Sequence, residues 1–150
     1  MSEPAGQVSE SKQRRTRIAA WVCRMCFAFV FILNVQCALN YVLFPNDYTA
    51  GFQLSGLEGR VAIQGIGVAF LMWNATYPAF IASPERFKAL GFIILAQQLI
   101  GLIGESAILF SLPATAITIA SSITRFIVFD AAGLILMALS FSALLILSRR

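Results

Sequence analysis

Three charged residues, Glu105, Arg125 and Asp130, lie within long apolar stretches of this sequence. An isolated charge near the middle of a membrane-spanning helix costs roughly 2.5 to 3.5 kcal/mol on insertion scales, so such residues pair with one another or line a polar cavity. Arg60 and Gln64 place two more polar side chains at the start of an earlier apolar stretch. We therefore predict a ligand-binding or ion-pair pocket formed by Arg60, Gln64, Glu105, Arg125 and Asp130.

The predicted pocket has a functional and a structural explanation. In the functional one, an ion pair between Glu105 and Arg125 holds the pocket together and leaves Arg60 or Asp130 for the head group of a ligand or for an ion. In the structural one, the same charges form a network that only ties the helices together. The sequence leaves both explanations open.

Cys23 and Cys26 form a Cys-x-x-Cys sequence, a spacing that dithiol oxidoreductases and thiolate metal carriers use. The thioredoxin form of this motif needs a βαβ context that a membrane span does not provide. Cysteine on an apolar helix is more often a small packing residue. Redox activity of this pair is thus a hypothesis beside a packing role. Because histidine is absent and no catalytic motif is present, we predict no metal site and no catalytic residue.

The composition of the chain is that of a membrane protein. Of its 150 residues, 59% are hydrophobic and 12% are charged, and the mean hydropathy is +0.80, far from the balance of a soluble domain. The sequence predicts an all-α transmembrane four-helix bundle. The predicted spans are residues 18–44, 60–83, 87–112 and 123–148, forming one domain at residues 18–148 after a polar tail at residues 1–17.

The last apolar stretch is longer than one bilayer requires. From Pro113 to Ser148 it would extend roughly 54 Å at helical rise, whereas a hydrocarbon core is about 30 Å thick. We therefore predict that residues 114–122 form an interfacial piece. The helix should then break near Ser121 and Ser122, before the fourth span.

Lys and Arg fall mostly on one side of the predicted bundle. They occur in the N-terminal tail, at Arg86 and Lys88 in the second connection, and at Arg149 and Arg150. The positive-inside rule then predicts that both termini, including the tail, are cytoplasmic. The same placement explains the net charge of +4 without nucleic acid as a partner.

Polar and small residues mostly share one face of each predicted helix. In the first span this face contains Cys23, Cys26, Asn34, Cys37 and Tyr41, while Gln36 and Asn40 lie off it. In the third span it contains Gln97, Gln98, Gly101, Gly104 and Glu105. Such faces also hold membrane helices together through close packing and hydrogen bonds, without any ligand.

The layout resembles the DoxX-like group of small bacterial four-helix membrane proteins. The matching features are Pro45 after the first span, Gly59-Arg60 and Gln64-Gly65-Ile66-Gly67 in the second, Gly104-Glu105 in the third and Arg125-Phe126 in the fourth. The resemblance implies a compact bundle in the bacterial cytoplasmic membrane. It also implies, for some members, a role as membrane partner of quinone-linked redox enzymes. The Cys-x-x-Cys has no counterpart in it.

The function that we predict first is non-enzymatic. The protein would be an accessory subunit of a membrane complex or a binder of a lipid- or quinone-like ligand, with membrane lipids and other membrane-protein subunits as partners. No other cofactor is predicted. A small-solute or ion carrier that uses the charged pocket is the alternative, and a thiol redox protein acting through Cys23 and Cys26 comes third.

Overall fold

The computed structural model describes residues 5–148, with side chains for residue 10 and residues 12–148. Every regular element in this part of the chain is helical, which confirms the all-α class. The helices are α1 (Ala5–Leu43), α2 (Asn46–Thr49), α3 (Gly56–Trp73), α4 (Tyr77–Ala82), α5 (Lys88–Ser111) and α6 (Ile117–Ser148). Short 3-10 turns occupy Ala50–Phe52 and Asn74–Thr76.

Four segments are long and apolar enough to cross a membrane: Lys12–Leu43, Gly56–Ala82, Lys88–Ser111 and Ile117–Ser148. The second of them combines α3 and α4. Many large apolar side chains on these segments are exposed, for example Met25, Phe92 and Leu139, as expected where a helix faces lipid. The protein is therefore a multi-pass integral membrane protein.

Prolines explain where three of the helices end. Proline disfavours the α conformation of the residue before it. Accordingly, α1, α4 and α5 each end two residues before a proline, at Pro45, Pro84 and Pro113 respectively. The spans thus stop where the sequence places a residue that cannot continue a helix.

The helices run alternately up and down. Thr16 in α1 donates a hydrogen bond from Oγ1 to the Leu147 carbonyl at 3.0 Å, and Nζ of Lys88 donates to Oγ of Ser148 at 2.9 Å. Residues near the start of α1, the start of α5 and the end of α6 therefore lie together. We call this the termini end of the bundle and the opposite end, which carries α2, the loop end.

The ring of helices is open on one side. α1 packs against α3, α4 and α6, and α5 packs against α6 and α4. Within residues 5–148, α3 and α5 make almost no contact with each other. A gap therefore remains between α3 and α5 in the loop half of the bundle.

An aromatic core closes the bundle at the termini end. Phe27, Phe80 and Phe141 are almost fully buried, with ring centroids 4.4 Å apart for Phe27 and Phe80 and 5.5 Å apart for Phe80 and Phe141. Gly91 of α5 provides the room, since a Cβ there would lie 2.7 Å from both Phe80 and Phe141. Close packing of this kind stabilises helix association in lipid, where apolar burial alone gives little.

The second span is interrupted beside Asn74. Pro78 has no backbone N–H and cannot donate to the carbonyl four residues earlier, which is that of Asn74. The Asn74 carbonyl accepts from the Tyr77 N–H instead, and the chain forms a 3-10 turn at Asn74–Thr76. This interruption directs α4, rather than α3, onto α5.

Two helices are longer than the sequence predicted. α1 begins at Ala5, so residues 5–17 of the predicted polar tail continue the helix of the first span. Once a helix has nucleated, extending it by further residues costs little free energy. Whether this segment is cytoplasmic stays a prediction, and residues 1–4 lie outside the described chain.

The predicted break near Ser121 and Ser122 is wrong, because α6 runs without interruption from Ile117 to Ser148. Ser122 instead donates a hydrogen bond from Oγ to the Gly51 carbonyl at 2.7 Å. Its polarity thus serves to hold the connection between α1 and α3 against α6. This contact folds the connection over the loop end of the bundle.

Candidate functional site

A cavity of about 390 Å³ lies between α1, α3, α5 and α6 in the loop half of the bundle. We call it the central cavity. Its polar wall consists of Asn34, Gln36, Asn40, Asn74, Gln98, Glu105, Arg125 and Asp130. Its aromatic wall consists of Tyr48, Phe70, Trp73, Phe126 and Phe129.

The structure brings together three of the five residues predicted to form a pocket. Glu105, Arg125 and Asp130 all line the central cavity. Arg60 is exposed and outside the cavity wall. Gln64 is outside it as well and donates from Nε2 to the Val42 carbonyl at 3.1 Å, which fastens α3 to the end of α1. The cavity is thus built deeper in the bundle than the predicted set implied.

Asp130 is held by a side chain from the neighbouring helix. Nε2 of Gln98 in α5, a residue only 4% exposed, donates to Oδ1 of Asp130 in α6 at 2.8 Å. The other carboxylate oxygen lies against Gly101, where a Cβ would be 2.8 Å from Oδ2. The glycine therefore provides the space that the carboxylate occupies.

Glu105 has an unused acceptor. Its Oε2 is buried and has no hydrogen-bond partner, and within the described part of the chain Glu105 and Arg125 do not form the predicted ion pair. Arg125 itself is exposed while lining the cavity.

Asn74 supplies a second unused acceptor. Nδ2 of Asn74 donates to the Phe70 carbonyl at 2.8 Å, which fixes the orientation of the amide because only its nitrogen can donate. Oδ1 is buried without a partner, in a residue that is 4% exposed. A buried acceptor left unsatisfied costs about 1–3 kcal/mol. The interruption of the second span thus leaves an unsatisfied, buried carbonyl oxygen on a residue that lines the cavity.

Aromatic rings form the end of the cavity nearest the loops. Tyr41 lies 4.6 Å from Tyr48, and Phe70 lies 6.2 Å from Phe126, measured between ring centroids. The Tyr41 ring also lies 6.3 Å from those of Phe70 and Phe126. These contacts join α1, α2, α3 and α6 above the cavity.

Trp73 lies in the gap between α3 and α5. Its Cη2 is 3.6 Å from the position that a Cβ on Gly101 would take, so the indole crosses from α3 to α5. Gln36 and Arg125 are exposed although both line the cavity, so the cavity is open to its surroundings.

Sequence reasoning missed several residues of the wall. Gln36 and Asn40 lie off the predicted polar face of α1 and still line the cavity, because the cavity is wide enough to meet a broad arc of the helix. Tyr48 enters through the folded connection after α1. Asn74 and Trp73 were detectable only as a polar and an aromatic residue within a span.

The Cys-x-x-Cys pair lies away from the cavity. Cys23 has no exposed surface and packs with Phe27 in the core at the termini end, while Cys26 is half-buried; both are free thiols. A thiol or disulfide partner would have to open this core to reach Cys23. The arrangement favours the packing role over thiol exchange.

Arg24, between the two cysteines, caps the C-terminal end of α4. Its Nε and Nη2 donate to the carbonyls of Ile81 and Ala82 at 2.7 and 3.0 Å. These are the last residues of α4, whose carbonyls have no helical partner. The guanidinium also lies over the Trp21 ring, 4.6 Å from its centroid. Arg24 therefore fastens α1 to α4.

Comparison with family models, with curated proteins and with solved structures finds no match. The resemblance to the DoxX-like group therefore stays a prediction.

Proposed function

We propose that this protein is a non-enzymatic membrane protein that binds a lipid- or quinone-like amphiphile in the central cavity. The head group would lie among the polar side chains and the tail would leave between α3 and α5 toward the bilayer. The observation that carries the proposal is a cavity of about 390 Å³ with a mainly apolar lining and a small set of polar side chains, in a bundle whose helices α3 and α5 hardly touch. This volume is within the usual range for small-molecule sites, about 300–1,000 Å³.

The cost of the polar wall supports a ligand. Glu105, Asp130 and Asn74 lie within segments that cross the membrane, where unpaired polar groups are expensive. One of the three, Asp130, is partnered by Gln98, while Glu105 and Asn74 each keep a buried acceptor without a partner. A head group with hydrogen-bond donors would satisfy these acceptors once the Asn74 and Glu105 side chains turn toward it.

The proposal includes an orientation. With both termini in the cytoplasm of a bacterium, as the positive-inside rule predicts, the loop end and the central cavity lie in the outer half of the cytoplasmic membrane. A ligand would then enter from the outer leaflet. A binder of this kind could also act as an accessory subunit that presents its ligand to a membrane enzyme, as the DoxX-like resemblance implies.

The alternative function is a small-solute or ion carrier. It is favoured by the two carboxylates that α5 and α6 contribute to one cavity, Glu105 and Asp130. A carrier would move solute when the protein alone is reconstituted in vesicles, whereas a binder would not.

Tryptophan fluorescence tests the binding proposal directly, because the chain has two tryptophans and only Trp73 lines the cavity. Trp21→Phe leaves Trp73 as the reporter, and Trp73→Phe leaves Trp21 as its control. In lipid nanodiscs we expect 11-bromoundecanol, an amphiphile whose hydroxyl head donates a hydrogen bond and whose bromine quenches tryptophan, to quench Trp73 saturably. Quenching of Trp21 should rise linearly with probe, as expected for random collisions in the bilayer.

A pair of glycine variants locates the bound probe. In Gly101→Leu the new side chain would occupy the space beside Asp130 and Trp73. In Gly104→Leu, three residues further along α5, the new side chain would meet no other atom at its Cβ. In the Trp21→Phe background we expect Gly101→Leu to abolish saturable quenching and Gly104→Leu to retain it. Linear quenching of both tryptophans, or saturable quenching that survives Gly101→Leu, would contradict the binding of an amphiphile in this cavity.

A further inference from the structure

We infer that the head group selected by the central cavity is a protonated amine, so that the ligand is an amphiphile with an alkylammonium head. This inference rests on the proposed function, because it assumes that the cavity holds a ligand. It concerns which chemical class of ligand binds.

Two of the residues that line the cavity carry unpartnered, buried acceptors. Oδ1 of Asn74 and Oε2 of Glu105 are buried without a hydrogen-bond partner, and the amide nitrogen of Asn74 is already engaged with the Phe70 carbonyl. Nε2 of Gln98 is likewise engaged, with Asp130. The group that completes this site must therefore bring hydrogen-bond donors.

The charges of the cavity wall favour a cation. Glu105 and Asp130 are its acidic residues and Arg125 is its basic residue. Arg125 is exposed, whereas both acidic residues are partly buried. The carboxylates outnumber the guanidinium, so the ionised wall attracts a cation.

The aromatic wall suits the same class of ligand. Tyr48, Phe70, Trp73 and Phe126 line the cavity next to the carboxylates. Aromatic faces attract a cation that lies within about 6 Å of the ring centroid, and most strongly where water is excluded. The rings also accommodate the first methylene groups of an alkyl chain.

A primary ammonium group combines these requirements. It carries three donors and no acceptor, so it adds no unsatisfied lone pair to a cavity whose unpartnered side chains are acceptors. A hydroxyl head brings one donor and unused lone pairs. A trimethylammonium head brings the charge but no N–H donor.

Four probes with one tail separate these contributions. Each is an undecyl chain with a terminal bromine, which quenches tryptophan, and the heads are amine, alcohol, trimethylammonium and carboxylate. Binding to the Trp21→Phe protein in nanodiscs is read from Trp73. We expect the amine to bind at least about tenfold more tightly than the alcohol and than the trimethylammonium, as charge-assisted hydrogen bonds imply.

Glu105→Gln tests the assignment, with Glu58→Gln as control because Glu58 is exposed and outside the cavity wall. We expect Glu105→Gln to reduce the affinity of the amine about tenfold or more and to leave that of the alcohol unchanged. Glu58→Gln should change neither. If the variant fails to fold, Asp130→Asn in the same wall provides the same comparison.

The outcomes distinguish the two proposals. Saturable binding of all four probes with equal affinity would overturn the amine head group and leave the binding proposal standing. Equal affinity of the amine and the trimethylammonium would overturn the role of the unpartnered acceptors. If no probe quenches Trp73 saturably, the cavity binds no amphiphile of this kind and the proposed function fails.

Discussion

Gly67 of α3 packs directly against the backbone of α1, and replacing it should destabilise the bundle. A Cβ at this position would lie 2.8 Å from the Ala38 carbonyl oxygen and 2.9 Å from both Cβ of Tyr41 and Cγ2 of Val42. Because the nearest atom belongs to the backbone, α1 itself would have to move. Overpacking of this kind costs about 1–3 kcal/mol.

Gly65 provides a matched control on the same helix. It is exposed, and a Cβ there would meet nothing within 4 Å. Replacing glycine by alanine within a helix gains about 1 kcal/mol in helix propensity at either position. The difference in unfolding free energy between Gly67→Ala and Gly65→Ala therefore isolates the packing cost, and we expect Gly67→Ala to be less stable by about 1–3 kcal/mol.

The assay is unfolding in bicelles, either by steric trapping or by titration with a denaturing detergent. Both variants are compared with the unmodified protein at the same lipid ratio. If Gly67→Ala were as stable as Gly65→Ala within about 0.5 kcal/mol, the close approach of α1 and α3 would be refuted.

Three further predictions concern side chains that hold the bundle together. Gln98→Leu leaves Oδ1 of Asp130 without its donor and should cost about 1.5–3 kcal/mol in the same assay, whereas Gln97→Leu should cost less because its bond to Thr76 is long, at 3.4 Å. Ser122→Ala removes the bond to the Gly51 carbonyl, so amide hydrogen exchange at residues 46–55 should accelerate, while Ser121→Ala, at an exposed position, should leave it unchanged. Cys23 should resist a membrane-permeant maleimide in the folded protein and react after denaturation, because it has no exposed surface; rapid labelling of the folded protein would contradict its place in the core.

The spans were predictable because lipid imposes one strong requirement on the sequence. A helix must satisfy its own backbone and present apolar side chains over about 30 Å. Proline then marks the helix ends, as Pro45, Pro84 and Pro113 do. Hydropathy therefore predicted four spans, and the structure has four helical segments that meet its criteria.

The extent of the long helices was harder to predict, since it depends on contacts between residues distant in sequence. Ser122 suggested a helix break, but its partner is the Gly51 carbonyl, and that contact leaves α6 continuous. Thr16 likewise contacts the Leu147 carbonyl. Neither of these two contacts can be inferred from the composition of the sequence.

The cavity was predictable in part for a related reason. Charged residues within an apolar span are easily recognised in a sequence, and Glu105, Arg125 and Asp130 do line the cavity. Arg60 lies outside because a residue near a helix end can reach water without entering the bundle. Gln36 was missed because the width of a cavity depends on how far the helices stand apart, which helix periodicity does not reveal.

Photo-crosslinking tests the central claim most directly. An alkylamine that carries a diazirine on its tail is bound to the protein in nanodiscs and irradiated, and the adducts are mapped by peptide mass spectrometry. The account predicts adducts on α3 and α5 around Trp73 and Gly101, lost in Gly101→Leu, retained in Gly104→Leu and displaced by excess unlabelled amine. Adducts spread evenly over the lipid-facing surfaces, unaffected by Gly101→Leu or by competitor, would contradict it.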